Sequence, residues 1–139
     1  MSVQPQSTST PARHLVDLGV DECWTLAVTR PVGRLAWTGP SGPTVLPVNF
    51  VVTGTTVVVR TTAYSEIARE CDDSPVAFEV DDIDPATRSG WSVLIRGRGH
   101  LEYGPAEAGE PDVWLSGPRS LRLRIEVTEV TGRRVTAPE

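Results

Sequence analysis

The chain has 139 residues, 39% of them hydrophobic, with 18 acidic against 13 basic residues and a net charge of −5. That length suits one domain, and the acidic balance argues against a general nucleic-acid binder, which needs a basic surface to displace counterions. There is no lysine, so Schiff-base chemistry with pyridoxal phosphate is excluded as well.

Residues 1–12 are rich in Ser, Thr, Gln and Pro. They carry little to bury and read as a disordered N-terminal tail, which leaves 13–139 as a single domain. Its core is modest, and burial in a dimer would enlarge it. No apolar run is long enough to span a bilayer, and the N-terminus lacks the basic and apolar regions of a secretory signal, so a cytoplasmic location and no membrane partner are expected. Cys23 and Cys71 read as free, largely buried thiols, with a reactive thiol or a disulfide as the alternatives. His14 and His100 are far apart and no His/Cys cluster has ligand spacing, so no metal is expected.

The first predicted element is a short helix over Val20–Val28, with Val20, Cys23, Trp24 and Ala27 on one face and Asp21 and Glu22 in the first turn. Pro31 stops it. Strands are predicted over Val32–Thr38, Thr44–Val52 and Thr56–Thr61, separated by the turns Pro40–Pro43 and Gly54-Thr55. A second short helix is predicted over Ser65–Cys71. A strand over Ser74–Asp81 follows, with Val76, Phe78 and Val80 on one face and Glu79 on the other.

The longest extended segment runs over Arg88–Tyr103. Trp91, Val93, Ile95, Gly97, Gly99, Leu101 and Tyr103 form its inward face, with Ser92, Arg96, Arg98, His100 and Glu102 outward. Gly97 and Gly99 fit a sharply bent barrel strand or close approach by another backbone. Gly104–Pro118 reads as a loop. Arg119–Thr128 alternates again, with Leu121, Leu123, Ile125 and Val127 inward and Arg122, Arg124 and Glu126 outward, and Gly132–Val135 continues it after a kink. The expected fold is mainly β: a small antiparallel barrel of about six strands with two or more short helices.

One place carries chemistry on its own residues. Arg60, Thr61 and Thr62 end a strand and lead into a helix, an arrangement suited to an anion. Arg60 offers a bidentate fork, and the hydroxyls of Thr61, Thr62 and Ser65 can donate. The same residues also fit a helix cap beside a solvated strand end.

Several segments, in this order, resemble the flavin-binding split barrels of the pyridoxamine 5′-phosphate oxidase superfamily. They are Glu22-Cys23-Trp24, Val32-Gly33-Arg34-Leu35-Ala36, Pro47-Val48-Asn49-Phe50 and Val59-Arg60-Thr61-Thr62, then Phe78-Glu79-Val80-Asp81, Gly90-Trp91-Ser92-Val93 and Thr131-Gly132-Arg133-Arg134. The resemblance implies a homodimer with flavin mononucleotide (FMN) in a cleft at the interface. Arg60, Thr61, Thr62 and Ser65 would hold the phosphate, the backbone of Val48 and Asn49 would lie against the isoalloxazine, and Trp91 and Ser92 would border the same pocket. On their own residues, Trp91 equally fits a core or interface aromatic, Asn49 a partner for local backbone groups, and Trp114 either a loop anchor or a lid.

The chain departs from that pattern after Thr62. Glu66 stands about where the family often has a lysine, and Tyr64 is bulky where a small residue is usual. A carboxylate beside a phosphate repels it, whereas in the first turn of a helix it is favoured. The implied activity is an oxidoreductase passing electrons from a reduced nicotinamide to a small oxidised acceptor such as a nitro compound, quinone or oxygen, with no catalytic side chain evident. One alternative is a reductase of the same fold using a deazaflavin coenzyme. The other is a degenerate dimeric binding module with no cofactor. Pyridoxamine phosphate itself is not expected as substrate, since the chain is short and its C-terminal region offers no second phosphate site.

Overall fold

The computed structural model describes residues 14–62, 65–103 and 121–136. The expected tail 1–12, the loop 104–118, Tyr64 and Trp114 lie outside the described residues. The elements run β1 (His14–Asp17), α1 (Val20–Ala27), β2 (Val32–Gly39), β3 (Gly42–Thr53), β4 (Thr56–Thr61), α2 (Glu66–Glu70), β5 (Ser74–Asp84), β6 (Ser89–Tyr103) and β7 (Leu121–Thr136). All strand pairings are antiparallel, in the order β1-β7-β4-β3-β2-β5-β6, and β6 pairs back onto β7. That last pairing closes a six-stranded barrel and leaves β1 outside it, sharing an edge of β7 with β4. The architecture is the antiparallel barrel that the alternation in the sequence implies, and it is consistent with the split barrel that the resemblance implies. No helix among the described residues is long and apolar enough to cross a membrane.

The barrel is strongly sheared. Stepping across neighbouring strands from Arg122 on β7 through Arg60, Asn49, Val32, Asp81 and Ser92 returns to β7 at Arg133, roughly ten residues further along once its bulge is allowed for. Such a stagger tilts every strand steeply. It also lays those residues in one continuous band on the outer face.

Inside, the alternating residues meet as expected. Leu35, Val57, Val59, Phe78, Val80, Val93, Ile95, Leu123 and Ile125 are fully buried. The expected kink in the last strand is a β-bulge: Arg96 faces Glu129 while Gly97 faces Val127, and Thr128 between them turns its hydroxyl back to donate to Arg96 O at 3.1 Å. Gly97 and Gly99 of β6 permit close approach by neighbouring backbone. A Cβ on Gly97 would sit 2.2 Å from Glu126 O, and one on Gly99 would sit 2.5 Å from Cys71 O.

Four sequence expectations are corrected. β1 is an additional strand whose four residues are all exposed, so it carries no burial signal and is held by its backbone ladder. In α1, Cys23 and Ala27 are buried, whereas Val20 is 54% exposed, because an eight-residue helix turns only one short stripe towards the barrel. Tyr103 has the inward parity but ends its strand 74% exposed. Arg122 has the outward parity but is only 5% exposed, and Val58, also outward, is 3% exposed. The outer face of β4 and β7 is therefore covered at that end.

Both cysteines are free and fully buried. Burial, with Glu70 nearby, pushes the Cys71 thiol up to about 12, and burial raises Cys23 as well. Both are held as unreactive thiols.

Candidate functional site

At the end of β4, Thr61 is 2% exposed and its side chain points into the barrel. Its Oγ1 lies 2.6 Å from Ser65 Oγ. Ser65 Oγ donates to Thr62 O at 2.9 Å and, as the cap of α2, accepts from Ala68 N at 3.1 Å. With the Ser65 proton directed to Thr62 O, Thr61 must be the donor to Ser65. Both hydroxyl protons are thus engaged in fastening strand to helix, and neither points to a ligand. Thr62 is half-buried, and its hydroxyl makes no hydrogen bond among the described residues. Arg60 faces outward, half-buried, opposite Arg122.

Glu66 is the first helical residue and is exposed. It occupies the first turn, where a carboxylate is favoured.

Val48 points inward against the core, opposite Gly33. Asn49 points outward, one position beyond the last β3–β4 pair, Phe50 with Val59, so it stands beside Arg60. Its Nδ2 donates to Pro31 O at 3.3 Å, which satisfies a local backbone group and leaves Oδ1 available. Val48, Asn49, Arg60, Thr61, Thr62 and Ser65 are therefore brought together at one end of the barrel.

Trp91 and Ser92 are not part of that group. Trp91 is 8% exposed, between Asp82 and Arg134 in register. Ser92 is half-buried on the outer face between Asp81 and Arg133. Within one chain they lie on the order of 20 Å around the barrel from Arg60, four strand spacings of ~4.8 Å. They line a cleft of about 540 Å³, a size that suits a small ligand. A further concavity of about 610 Å³ lies over Ala36, Val45, Ala77 and Arg96 and contains none of the expected site residues.

Between the two groups sits a cluster that sequence reasoning missed. Arg34 Nη1 reaches Glu79 Oε1 at 3.1 Å and Asp81 Oδ2 at 3.2 Å, on the outer face of β2 and β5. The spacing of Glu79 and Asp81 placed them on one face, but only the β2–β5 register supplies Arg34. Burial pushes the Glu79 carboxyl up to about 7; a hydrogen bond to Asp81 and its charge add to this, and Arg34 opposes it. A carboxyl whose folded value lies above its unfolded value binds its proton more tightly when folded. Its stabilising contribution is full below pH ~4.5 and is lost as pH rises through about 7. Glu79→Gln keeps a donor for Asp81 and removes the titration. The wild type is expected to lose about 1 kcal/mol relative to that variant between pH 5 and 8, a figure reduced for partial exposure. Urea unfolding across that range measures it, and parallel curves for the two proteins would refute the assignment.

Known proteins share this sequence and this fold. An uncharacterized protein of Mycobacterium tuberculosis is 32% identical over 142 residues, covering 96% of this chain and 91% of its own. The FAD binding protein from Mycobacterium smegmatis superposes with a TM-score of 0.69 at 30% identity, over 87% of this chain and 98% of its own. A conserved protein of unknown function from Corynebacterium diphtheriae superposes with a TM-score of 0.73 at 27% identity, over 88% and 98%. The family model for pyridoxamine 5′-phosphate oxidase matches residues 19–134. That match takes in both residue groups and the band between them, and the chain belongs to the pyridoxamine 5′-phosphate oxidase family.

Proposed function

We propose that this protein is a flavin-dependent oxidoreductase that works as a homodimer. The observation that carries the reading is the Arg60–Thr62 strand end beside Asn49, in a chain that aligns along most of its length with an FAD binding protein. Arg60 and the Thr62 hydroxyl fit the phosphate of FMN or of a flavin dinucleotide. Thr61 and Ser65 act one step back, by fixing the backbone that presents those groups. The backbone of Val48 and Asn49 would lie along the ring system. Pairing two copies would bring the Trp91 and Ser92 of one to the Arg60 group of the other, which answers their separation within one chain.

A bound flavin would supply the electron transfer, from a reduced nicotinamide to a small oxidised acceptor. The chain's own part is to bind, orient and exclude water. A second reading is a dimeric binding module without flavin. It is favoured by the engagement of both the Thr61 and Ser65 hydroxyl protons and by an acid, Glu66, at the first helical position.

The purified protein is expected to retain flavin through desalting after incubation with FMN or FAD, with absorbance near ~370 and ~450 nm. A flat visible spectrum with both flavins would overturn the flavin reading. Retention of a deazaflavin coenzyme in the same trial would replace it with the reductase alternative, and no retention at all would leave the binding module.

A further inference from the structure

We propose that two copies of the chain pair through the outer face of β2, β3 and β5, and that protonation of Glu79 on that face holds the pair together. The inference rests on the homodimer reading above; it adds the surface that pairs and the proton that controls it.

The outer wall of the barrel is uneven. β6 and β7 turn Arg96, Arg98, His100 and Glu102, and Arg124 and Glu126, outward. The outward residues of β3 are Pro43, Val45 and Pro47, all exposed, and then Asn49. An uncharged apolar row facing water marks a contact surface. Beside it, the concavity of about 610 Å³ lies over Ala36 and Ala77, which follow Val45 in register.

Symmetry decides how this face meets its copy. Arg60, Asn49, Val32, Asp81 and Ser92 follow one another across the strands, so Val32 stands midway between Arg60 and Ser92. A twofold that sets Ser92 of each copy against Arg60 of the other must cross the band at that midpoint. The axis then runs along β2, and β5 of each copy faces β3 of the other. The rows match in that arrangement. Val45, 59% exposed, meets the hollow over Ala77 of the other copy, and Pro47 covers the other copy's Glu79. Each match occurs twice, as a self-complementary contact requires.

Charge sets the role of the proton. Glu79 and Asp81 share the guanidinium of Arg34, at 3.1 and 3.2 Å. The other elements around Glu79 do not balance the second carboxylate. β3 brings Pro47 and Asn49, and β6 brings Leu94 and Ser92. Arg96 is engaged by Glu129 at 2.8 Å and Arg30 by Asp82 at 3.5 Å, and Arg133 lies a strand further on, beyond Ser92. With both carboxylates ionised, each copy therefore carries an excess negative charge into the contact, and the partner's proline removes the water that solvates it. With Glu79 protonated the cluster is neutral. The Glu79 carboxyl already stands at about 7 in the single chain, and further burial raises it. The pair thus binds protons more tightly than the separate copies do, and it loosens as pH rises through and above that value.

The test is sedimentation of the purified protein, without added flavin, over a dilution series at pH ~6 and ~8.5. Wild-type pairing is expected to weaken roughly ten- to hundredfold at the higher pH, as one proton is released per copy. Glu79→Gln is expected to pair at both pH values as tightly as the wild type does at the lower one. Val45→Arg is expected to stay monomeric at both. Neither side chain is buried, so both variants are expected to fold. Wild-type pairing that is equally strong at the two pH values, or a pH dependence that survives in Glu79→Gln, would overturn control by this proton. Pairing undiminished in Val45→Arg would overturn the surface and leave the homodimer standing. A wild type that is monomeric at both pH values would overturn the homodimer reading itself, and this inference with it.

Discussion

Phe78→Ala is expected to destabilise the protein by about 3–5 kcal/mol, the range for deleting a fully buried aromatic ring. Phe78 has no exposure and lies mid-barrel, between Leu35 on β2 and Ile95 on β6. Its ring meets Phe50 edge to face, with centroids 4.8 Å apart at 69°, a contact that adds ~0.5–1.5 kcal/mol beyond burial. The ring also lies over the bare backbone of Gly33, where a Cβ would come within 2.3 Å of Cζ. Truncation therefore removes packing on three sides at once, and the closed ladder of strands limits how far the walls can move in. Gly33→Ala tests the same contact from the opposite side. Alone it forces the ring aside; combined with Phe78→Ala it places a methyl group in the vacated space. The pair should be non-additive by about 1–3 kcal/mol in favour of the double variant. Urea unfolding of the four proteins measures this. A small loss for Phe78→Ala, or simple additivity, would show that the ring is not the keystone between Phe50 and Gly33.

Most of the barrel was legible because it is built from period-two alternation, and the residues that alternate are those that fill it. Val76, Phe78 and Val80, and Trp91 to Gly99 on β6, needed no tertiary information. The kink before Gly132 was legible as an interruption of that period, and it is the bulge at Thr128. β1 was not legible, since His14 to Asp17 bury nothing and bind through backbone alone. The burial of Arg122 and Val58 was not legible either, because parity tells inside from outside but not whether the outside is covered.

The site divides in the same way. The grouping of Arg60, Thr61, Thr62 and Ser65 at the end of β4 could be read locally, because they are near in sequence. What each group does there could not. The hydrogen bonds that take up the Thr61 and Ser65 protons are set by how β4 meets α2. Arg34 lies 45 and 47 residues from Glu79 and Asp81, and only the barrel's shear brings them onto one band with Asn49 and Ser92. The cleft at Trp91 and Ser92 likewise depends on three strands meeting in register.

That division of labour at β4 sets the second large expectation. Arg60→Ala should weaken FMN binding by about 1.5–3 kcal/mol, roughly ten- to hundredfold, as for loss of a charge-assisted hydrogen bond. Riboflavin, which has the same ring and no phosphate, is the control. If Arg60 acts on the phosphate, the variant should lose affinity for FMN and keep its affinity for riboflavin. Equal losses for both would mean that Arg60 shapes the fold of the strand end, a role its position opposite Arg122 would permit. Unchanged affinity for both would remove Arg60 from the site. Thr61→Ala should behave differently, because its hydroxyl is buried and donates to Ser65. It should lower stability by about 1 kcal/mol and lower FMN affinity only as far as the strand end loosens. A contrast between the two variants, with Arg60 felt in binding and Thr61 in stability, is what the hydrogen-bond geometry demands of a phosphate site at this position.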